Sequence, residues 1–462
     1  MKNMITNRIK YLTVSCMILS SISCEKFIDT ELPYNQIGTH EVFSDVSSAN
    51  AALAGLYAEL WSSSMISGDV TGSAAILGTY TDDLNCYAPY IQNGLVDLYN
   101  NVQIPSNTIV YNLWSKAYKH IYYANSIIKG VKESSSISQS NKDRLIGEAT
   151  VLRSLLYYNL SLIFDEIPYT DTTDYIYNSQ LKKISKVQLM AQLENDLTSV
   201  LDGLSDQYAN QERIYINRKV AELLLGKVLL VSEKWNEAEN LFSQIVQSPL
   251  YVWEADLTKV FNKTGKHILW QLKPANSTDA TKEYLLYNFT TSLPTTFALS
   301  DALVNSFETG DLRKQSWILP TLINGKTYFR PMKYRNPVNS NTTENSVVFR
   351  IEEVYLLYAE SLTQQNKITD AKPFVDKLRQ RAGLAPLPSG LSKENMINRI
   401  ADEFRHEFFA EMGHRFFDLK RLKKTDIIAL SKPSWKSFHN AFPIPEKELT
   451  INPNLNPQNQ GY

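Results

Sequence analysis

The stretch LIGEATVLRSLLYYNLSLIFDEIP, residues 145–168, combines two apolar helical faces in one segment of this 462-residue chain. The first face repeats in steps of three and four, at Leu145, Ala149, Leu152, Leu156, Leu160 and Ile163. The second covers much of the opposite side, at Ile146, Val151, Leu155, Tyr158 and Leu162. Pro168 ends the pattern, because proline lacks an amide donor and disfavours helical geometry in the residue before it. We predict a helix buried on two sides, with other helices packed against both.

Helical periodicity recurs along the chain, at residues 46–61, 111–129, 187–204, 218–232, 236–246, 351–363 and 369–381. Gly226 and Ala238 are 12 residues apart and Phe242 follows four residues later, which is close to the spacing of tetratricopeptide hairpins. Ala359 and Ala371 repeat the interval of 12. The sequence therefore predicts a mainly α fold, built as a tetratricopeptide-like helical-repeat superhelix.

Two segments interrupt the helical pattern. Residues 62–108 are rich in Ser and Gly and lack periodicity, and a connection of that length in a compact protein is usually functional or disordered. Residues 250–348 also break the rhythm, with short strands predicted at 267–272 and 328–334. We expect irregular, loop-rich inserts and a few short strands beside the helices.

The N-terminus has the features of an export signal. Basic residues precede an apolar stretch at 12–22, a pattern typical of a secretory signal and too short to span a membrane. The Ser23-Cys24 pair resembles a bacterial lipoprotein cleavage site, although Ser21 stands where leucine is usual. We predict a signal peptide at 1–23 and a lipid on Cys24. The alternative is an ordinary signal peptide, cleaved nearby, with no special role for the cysteine.

The charge balance excludes one class of partner. The chain has 47 Lys and Arg against 48 Asp and Glu, a net charge of −1 and a pI near 6.6. A sequence-independent nucleic-acid binder needs a basic face, so we predict no nucleic-acid partner. The 26 tyrosines suit contact surfaces and wet cores equally well.

Motifs for phosphate or metal binding are incomplete. Residues 325–327 read Gly-Lys-Thr, but Pro320 stands where a phosphate loop has its first glycine. His406 and His414 flank two glutamates, but Ala410 stands where a zinc-binding helix needs its second histidine. We interpret this second segment as a solvated helix face, and we predict neither a metal site nor a cofactor.

The sequence also lacks a convincing catalytic constellation. Asp82 and Asp83 are adjacent, and adjacent carboxylates rarely face one substrate atom as glycosidic cleavage requires. Neither a nucleophile elbow nor a paired-cysteine metal motif occurs. We predict that the protein is not an enzyme.

Several short strings point to one family. The opening helix holds Gly147-Glu148-Ala149, Leu152-Arg153 and Glu166-Ile167-Pro168. Four more strings follow in order, RIEEVYLLYAE at 350–360, LRQRAGL at 378–384, EMGHRFFDL at 411–419 and FPIP at 442–445. Together they resemble the SusD/RagB family of Bacteroidetes outer-membrane lipoproteins. Asp165 departs from the family pattern, which has glycine there.

The resemblance implies a lipoprotein on the outer face of the outer membrane that captures a glycan. It would deliver that glycan to a SusC-like TonB-dependent transporter barrel. It also implies an N-terminal SusD-like region at 24–210, with a variable loop at 62–108, and a C-terminal RagB/SusD region at 211–462. The alternative is a peptide-binding member of the family, or a protein-interaction lipoprotein, since tetratricopeptide superhelices commonly hold peptides.

The ligand-contacting residues are expected in the variable loop. Sugar ring faces stack on flat aromatic side chains, and hydroxyls pair with Asp and Asn. The loop offers such side chains at spacing too irregular for a core face, at Tyr80, Asp82, Asp83, Asn85, Tyr87, Tyr90 and Tyr99. A second candidate region surrounds Tyr284, Tyr287 and Trp317. The alternative for each ring is packing of the loop onto the scaffold, but for residues 75–100 as a whole we predict ligand contact.

Overall fold

Helices dominate the computed structural model, which describes residues 42–89 and 94–462. The predicted signal peptide, Cys24 and Tyr90 lie outside the described residues. The helices are α1 Val46–Ser62, α2 Ser73–Tyr80, α3 Leu95–Tyr99, α4 Thr108–Glu133, α5 Gln139–Phe164, α6 Tyr175–Asn178, α7 Lys186–Val200, α8 Arg218–Val231, α9 Trp235–Val246, α10 Lys282–Tyr287, α11 Asp301–Ser306, α12 Leu312–Trp317, α13 Ile351–Gln364, α14 Ile368–Arg381, α15 Lys393–Phe408, α16 His414–Arg421 and α17 Glu446–Ile451. Short 3-10 turns lie at Leu201–Gly203, Thr425–Leu430, Ser437–Asn440 and Pro453–Leu455.

The long helices stack in chain order. Each of α4, α5, α7, α8, α9, α13 and α14 packs against the next, so the predicted helical-repeat fold is confirmed. Helix α5 is buried on both of its apolar faces, with α4 on one side and α7 on the other. It ends at Phe164, before Pro168, because Asp165 adopts a φ of +69°. Ile167 then pairs with Ile184 in an isolated antiparallel bridge.

The hairpin of α8 and α9 depends on a glycine. A Cβ built at Gly226 would lie 2.5 Å from Cε1 of Phe242, whose side chain is fully buried. The two helices therefore lie too close together for a side chain at position 226, which explains why the repeat pattern has a small residue at this position.

We expect Gly226→Ala to lower the free energy of unfolding by about 1–3 kcal/mol, because the buried ring has no room to retreat. Gly55→Ala is the matched control, since Gly55 also lies in a helix but has nothing within 4 Å of its Cβ position. That control is expected to be neutral or to gain up to about 1 kcal/mol. Urea unfolding of both variants measures the difference, and equal stabilities would contradict this account of the hairpin.

The inserts contain two small antiparallel sheets. The strands are β1 Leu84–Cys86, β2 Ile268–Leu272, β3 Phe297–Leu299, β4 Ile318–Ile323, β5 Lys326–Pro331 and β6 Ser346–Arg350. Four form a sheet in the order β1-β3-β5-β4, and β2 pairs with β6, which leads directly into α13. The described parts of the variable loop are thus more regular than its composition indicates, since they supply α2, β1 and α3.

One large apolar cluster, extending in sequence from Phe43 to Leu455, runs through both predicted regions of the mature chain. A second cluster lies around the four-stranded sheet and includes Leu84, Phe297 and Trp317. Among the described residues, no helix has both the length and the apolarity needed to cross a bilayer.

A network of buried charges joins α15 to β6, α12 and α14. The Glu407 carboxylate accepts from Nη1 of Arg350 at 2.6 Å and from Nη1 of Arg313 at 3.3 Å, and it also pairs with Arg381. This corrects the interpretation of residues 406–414 as a solvated helix face. His406, Glu407, Glu411 and His414 are all buried, because basic residues distant in sequence enclose the two glutamates.

Candidate functional site

The Asp82-Asp83 turn is held in place by two arginines from the C-terminal helices. Both oxygens of the Asp82 carboxylate accept from Arg415, through Nε at 2.8 Å and Nη2 at 2.9 Å. Nη2 of Arg405 donates to Asp82 at 2.9 Å, and its Nε donates to Asp83 at 2.9 Å. The Ser300 amide adds a bond to the Asp83 carbonyl at 2.9 Å. These bonds therefore hold the turn, and the start of the strand that follows it, in place.

These contacts make the contribution of Asp82 to the stability of the fold depend on pH. Burial alone would raise the pKa of Asp82, but the Arg415 and Arg405 guanidinium groups outweigh it and hold the pKa below its ordinary value. A carboxyl with a lowered folded-state pKa stabilises the fold above its unfolded pKa of about 3.9, and the contribution is lost as the pH falls.

We expect Asp82→Asn to lower the free energy of unfolding at pH 7 by about 2 kcal/mol. This loss of stability is smaller than the loss expected when one partner of an isolated buried ion pair is removed, because Asp83 still faces Arg405. The difference between wild type and variant should shrink as the pH falls below about 4. Denaturant unfolding measured from pH 7 to pH 3 checks this, and a difference that stays constant over that range would exclude a paired, ionised Asp82.

A cavity of about 300 Å3 opens beside this turn. Four segments form its walls, namely the end of the turn with β1, the end of α3, the start of α11 and residues 431–434. The polar residues that line it include Asn85, Asn100, Asp301 and Lys432. We call it the Tyr99 cavity, after the half-buried ring in its wall.

Lys432 links α2 and α3 beside the cavity. Its ammonium donates to the Tyr99 carbonyl at 2.7 Å and to the Thr79 carbonyl, and it lies 4.4 Å from the centre of the Tyr99 ring. Burial lowers its pKa to about 7. The side chain therefore fixes α3 against α2, and its donors are engaged within the protein.

An aromatic rim lies next to the cavity. The Tyr99 hydroxyl donates to Oδ1 of Asn85 at 3.3 Å. Tyr87, two residues further along the chain, packs edge-on against Tyr328 with ring centres 5.6 Å apart. All three tyrosine side chains are half-buried, so each remains partly exposed. Asp301 is exposed and forms no ion pair with a described residue, which leaves its carboxylate free to accept hydrogen bonds.

The structure thus brings Asn85, Tyr87 and Tyr99 together, and it places three other candidates differently. Tyr80 is fully buried, where its hydroxyl donates to the His439 carbonyl at 2.9 Å. Trp317 is also fully buried, and its indole donates to the Leu257 carbonyl at 2.9 Å. Neither ring has a face open to a sugar. Tyr287 is buried as well, whereas Tyr284 is half-buried, so most of the second candidate region packs the insert.

Asp82 and Asp83 are likewise not free to bind hydroxyls. Both are buried, and arginines occupy both oxygens of Asp82 and one oxygen of Asp83. Their role is to position β1. This corrects the expectation that these carboxylates contact ligand.

Sequence reasoning missed several residues of this site. Asn100 directly follows Tyr99 and could have been found by its position. Tyr328, Asp301 and Lys432 come from distant segments, and only the pairing of β1, β3 and β5 and the ion pairs of the turn bring them near Tyr99. No local pattern in the sequence distinguishes them.

The cavity offers an aromatic ring, amide groups and an exposed carboxylate. Partly exposed aromatic rings beside amide and carboxylate groups are a combination that suits sugar ring faces and hydroxyls. Among the described residues, no group of three His, Cys, Asp or Glu side chains converges as metal ligands.

Two family models match the chain. One, described as the SusD family, matches residues 320–462. The other, described as starch-binding associating with outer membrane, matches residues 31–230. The chain belongs to the SusD/RagB family. The family resemblance predicted from the sequence is therefore confirmed.

Several full-length proteins resemble this SusD/RagB chain. SusD-like protein P25 of Formosa agariphila is 22% identical, over 96% of this chain and 98% of the relative. A SusD superfamily protein of Bacteroides vulgatus has a structure that matches with a TM-score of 0.77, at 19% identity, over 90% of this chain and 99% of that one. Surface glycan-binding protein A of Bacteroides thetaiotaomicron, in complex with laminarihexaose, matches with a TM-score of 0.73, at 18% identity, over 89% of this chain and 99% of that one.

Proposed function

We propose that this protein is a cell-surface lipoprotein that captures an oligo- or polysaccharide and delivers it to a SusC-like TonB-dependent transporter in the outer membrane. The observation that carries the proposal is the Tyr99 cavity, where the half-buried Tyr99 ring stands beside the side chains of Asn85 and Asn100 and the exposed carboxylate of Asp301. Family membership adds to it, because one matching family model is described as starch-binding and as associating with the outer membrane.

Charge favours a neutral glycan over an anionic one. Asp301 is the exposed, unpaired charge among the described residues that line the cavity, and it would repel a uronate or sulfate group. Lys432 does not offset it at the surface, because its ammonium is buried and donates to two backbone carbonyls. The bound laminarihexaose of the Bacteroides thetaiotaomicron protein is itself a neutral glucan.

The same arrangement supports binding without cleavage. Glycosidic hydrolysis uses two carboxyl groups about 5–10 Å apart on opposite sides of the scissile bond. Of the described carboxylates that line the cavity, Asp82 is held by two arginines, and Asp301 alone is free. We therefore propose a binding protein with no catalytic role.

The binding claim is tested by titration calorimetry of the full mature chain with neutral glucan oligosaccharides, uronate-containing oligosaccharides and oligopeptides. We expect saturable binding of at least one neutral oligosaccharide and none of the acidic ones. Binding of oligopeptides with no glycan response would overturn the proposal in favour of the peptide-binding alternative.

The anchor and the transporter require separate tests. Metabolic labelling with a palmitate analogue should mark the wild type and leave Cys24→Ala unlabelled. Affinity purification of the lipidated protein should recover a TonB-dependent barrel protein. If Cys24→Ala still partitions with outer membranes when the transporter is absent, the lipid assignment is wrong.

A further inference from the structure

A second cavity, of about 250 Å3, opens between α4, the segment after α5 and helix α17. It shares no lining residue with the Tyr99 cavity. Trp114, Tyr118 and Tyr122 line it from one face of α4, where residues four apart are neighbours. Its volume lies below the roughly 300–1,000 Å3 of sites for drug-sized ligands. It therefore suits a single sugar ring or one amino-acid side chain.

Neutral polar groups around this second cavity are already engaged within the protein. The Asn125 amide donates to the Thr170 carbonyl at 3.2 Å, and its oxygen accepts from Arg153 at 2.8 Å. The Asn452 amide donates to the Leu181 carbonyl at 2.8 Å. A ligand that relies on neutral hydrogen bonds alone would find few free partners here.

One ionisable side chain in the lining has no opposite charge. Glu448 is half-buried and lies close to the Trp114 indole. Burial raises its pKa, and no Lys, Arg or His of the described chain pairs with it. The adjacent Lys447 lies instead over the Tyr111 ring, 4.6 Å from its centre. Elsewhere in the fold, buried carboxylates such as Glu360 and Asp196 face an arginine.

Aromatic rings and an unpaired carboxylate together favour a cation. Ring faces carry partial negative charge and attract ammonium groups, most strongly where water is excluded. Trp114 is itself buried, so the accessible ring faces are those of the half-buried Tyr118, 5.0 Å from the Trp114 ring, and of Tyr122, which stands at the rim with 47% of its surface exposed. We propose that this cavity binds a primary ammonium group on a small carbon frame, carried by an amino sugar or by a lysine side chain. The site is separate from the glycan site and does not depend on it.

The test uses two pairs of probes that differ in charge. D-glucosamine is compared with D-glucose, and Nα-acetyl-lysine amide with Nα-acetyl-norleucine amide. The full mature chain is labelled with 5-fluorotryptophan, and the fluorine signal of Trp114 among the seven tryptophans is assigned through Trp114→Phe. We expect saturable shifts of that signal with at least one ammonium probe and none with its uncharged partner.

Variants test whether the shift of the fluorine signal arises from binding in this cavity. Glu448→Gln keeps the size of the side chain, and it should weaken ammonium binding about tenfold or more through loss of the charge. Tyr122→Ala should weaken binding without unfolding the protein, because the ring is at the surface. Glu446→Gln, an exposed glutamate on the same helix, is the matched control and should bind like the wild type.

The outcomes are distinct. A stronger response to glucosamine identifies an amino sugar as the ligand, and a stronger response to the lysine derivative identifies a peptide. The proposal fails if none of the four probes shifts the signal, if the uncharged probes bind equally well, or if Glu448→Gln retains full affinity. None of these results alters the glycan titrations, so the two proposals succeed or fail separately.

Discussion

Replacing Glu407 with glutamine is expected to lower the free energy of unfolding by about 3–5 kcal/mol, the range seen when one partner of a buried ion pair is removed. Glu407 is fully buried and faces Arg313, Arg350 and Arg381. Although burial opposes ionisation, Arg381 and Arg350 hold its pKa well below the ordinary value. The variant would remove the carboxylate that the three arginines share, and the other carboxylates that face them would offset only part of the loss, namely Asp311, Glu403, Glu411 and Glu352.

Glu394→Gln provides the control, because Glu394 lies on the same helix and is exposed. Charge removal there should change stability by less than about 0.5 kcal/mol. Urea unfolding at pH 7 measures both variants. A loss below about 1 kcal/mol in Glu407→Gln would mean that the other carboxylates suffice for the arginines, and that Glu407 does not support the C-terminal helices.

The double variant Tyr87→Ala with Tyr99→Ala is expected to weaken glycan binding about 100-fold. Each ring that covers a sugar face contributes about 1–2 kcal/mol, and 1.4 kcal/mol corresponds to a factor of ten. Both rings are half-buried at the edge of the cavity, so the fold should survive. The backbone carbonyl of Tyr99 that receives Lys432 also remains.

Two exposed tyrosines give a matched control. Tyr175 and Tyr177 lie on α6 and line neither the Tyr99 cavity nor its rim. Their double alanine variant should bind glycan like the wild type in calorimetry. Equal affinities for the two double variants would remove the Tyr99 cavity as the binding site.

Helical periodicity predicted most of the scaffold. Residues 218–232 and 236–246 were predicted as a hairpin, and the helices lie at Arg218–Val231 and Trp235–Val246. The regular apolar spacing succeeds because each helix buries a continuous face against its neighbours in the stack. The Gly226 position follows from the same pattern, since two helices that touch leave no room for a side chain.

The site residues were harder to predict from the sequence, because side chains that are buried in an irregular insert follow no periodic pattern. Tyr80 and Tyr87 look alike in the sequence, yet α2 buries Tyr80 against Phe442 and Trp435, whereas Tyr87 stands at the cavity rim. Asp82 resembles a free carboxylate until Arg415, 333 residues away, is placed beside it. The burial of residues 406–414 was not predicted for the same reason, because the basic residues that pair with them are distant in sequence.

A crystal structure of the mature protein with the neutral oligosaccharide that binds most tightly in calorimetry tests the central claim most directly. We predict a sugar ring in the Tyr99 cavity, stacked on Tyr99 or Tyr87, with hydroxyls bonded to Asn85 and Asp301. A well-ordered glycan bound on another face, with this cavity empty, would contradict it.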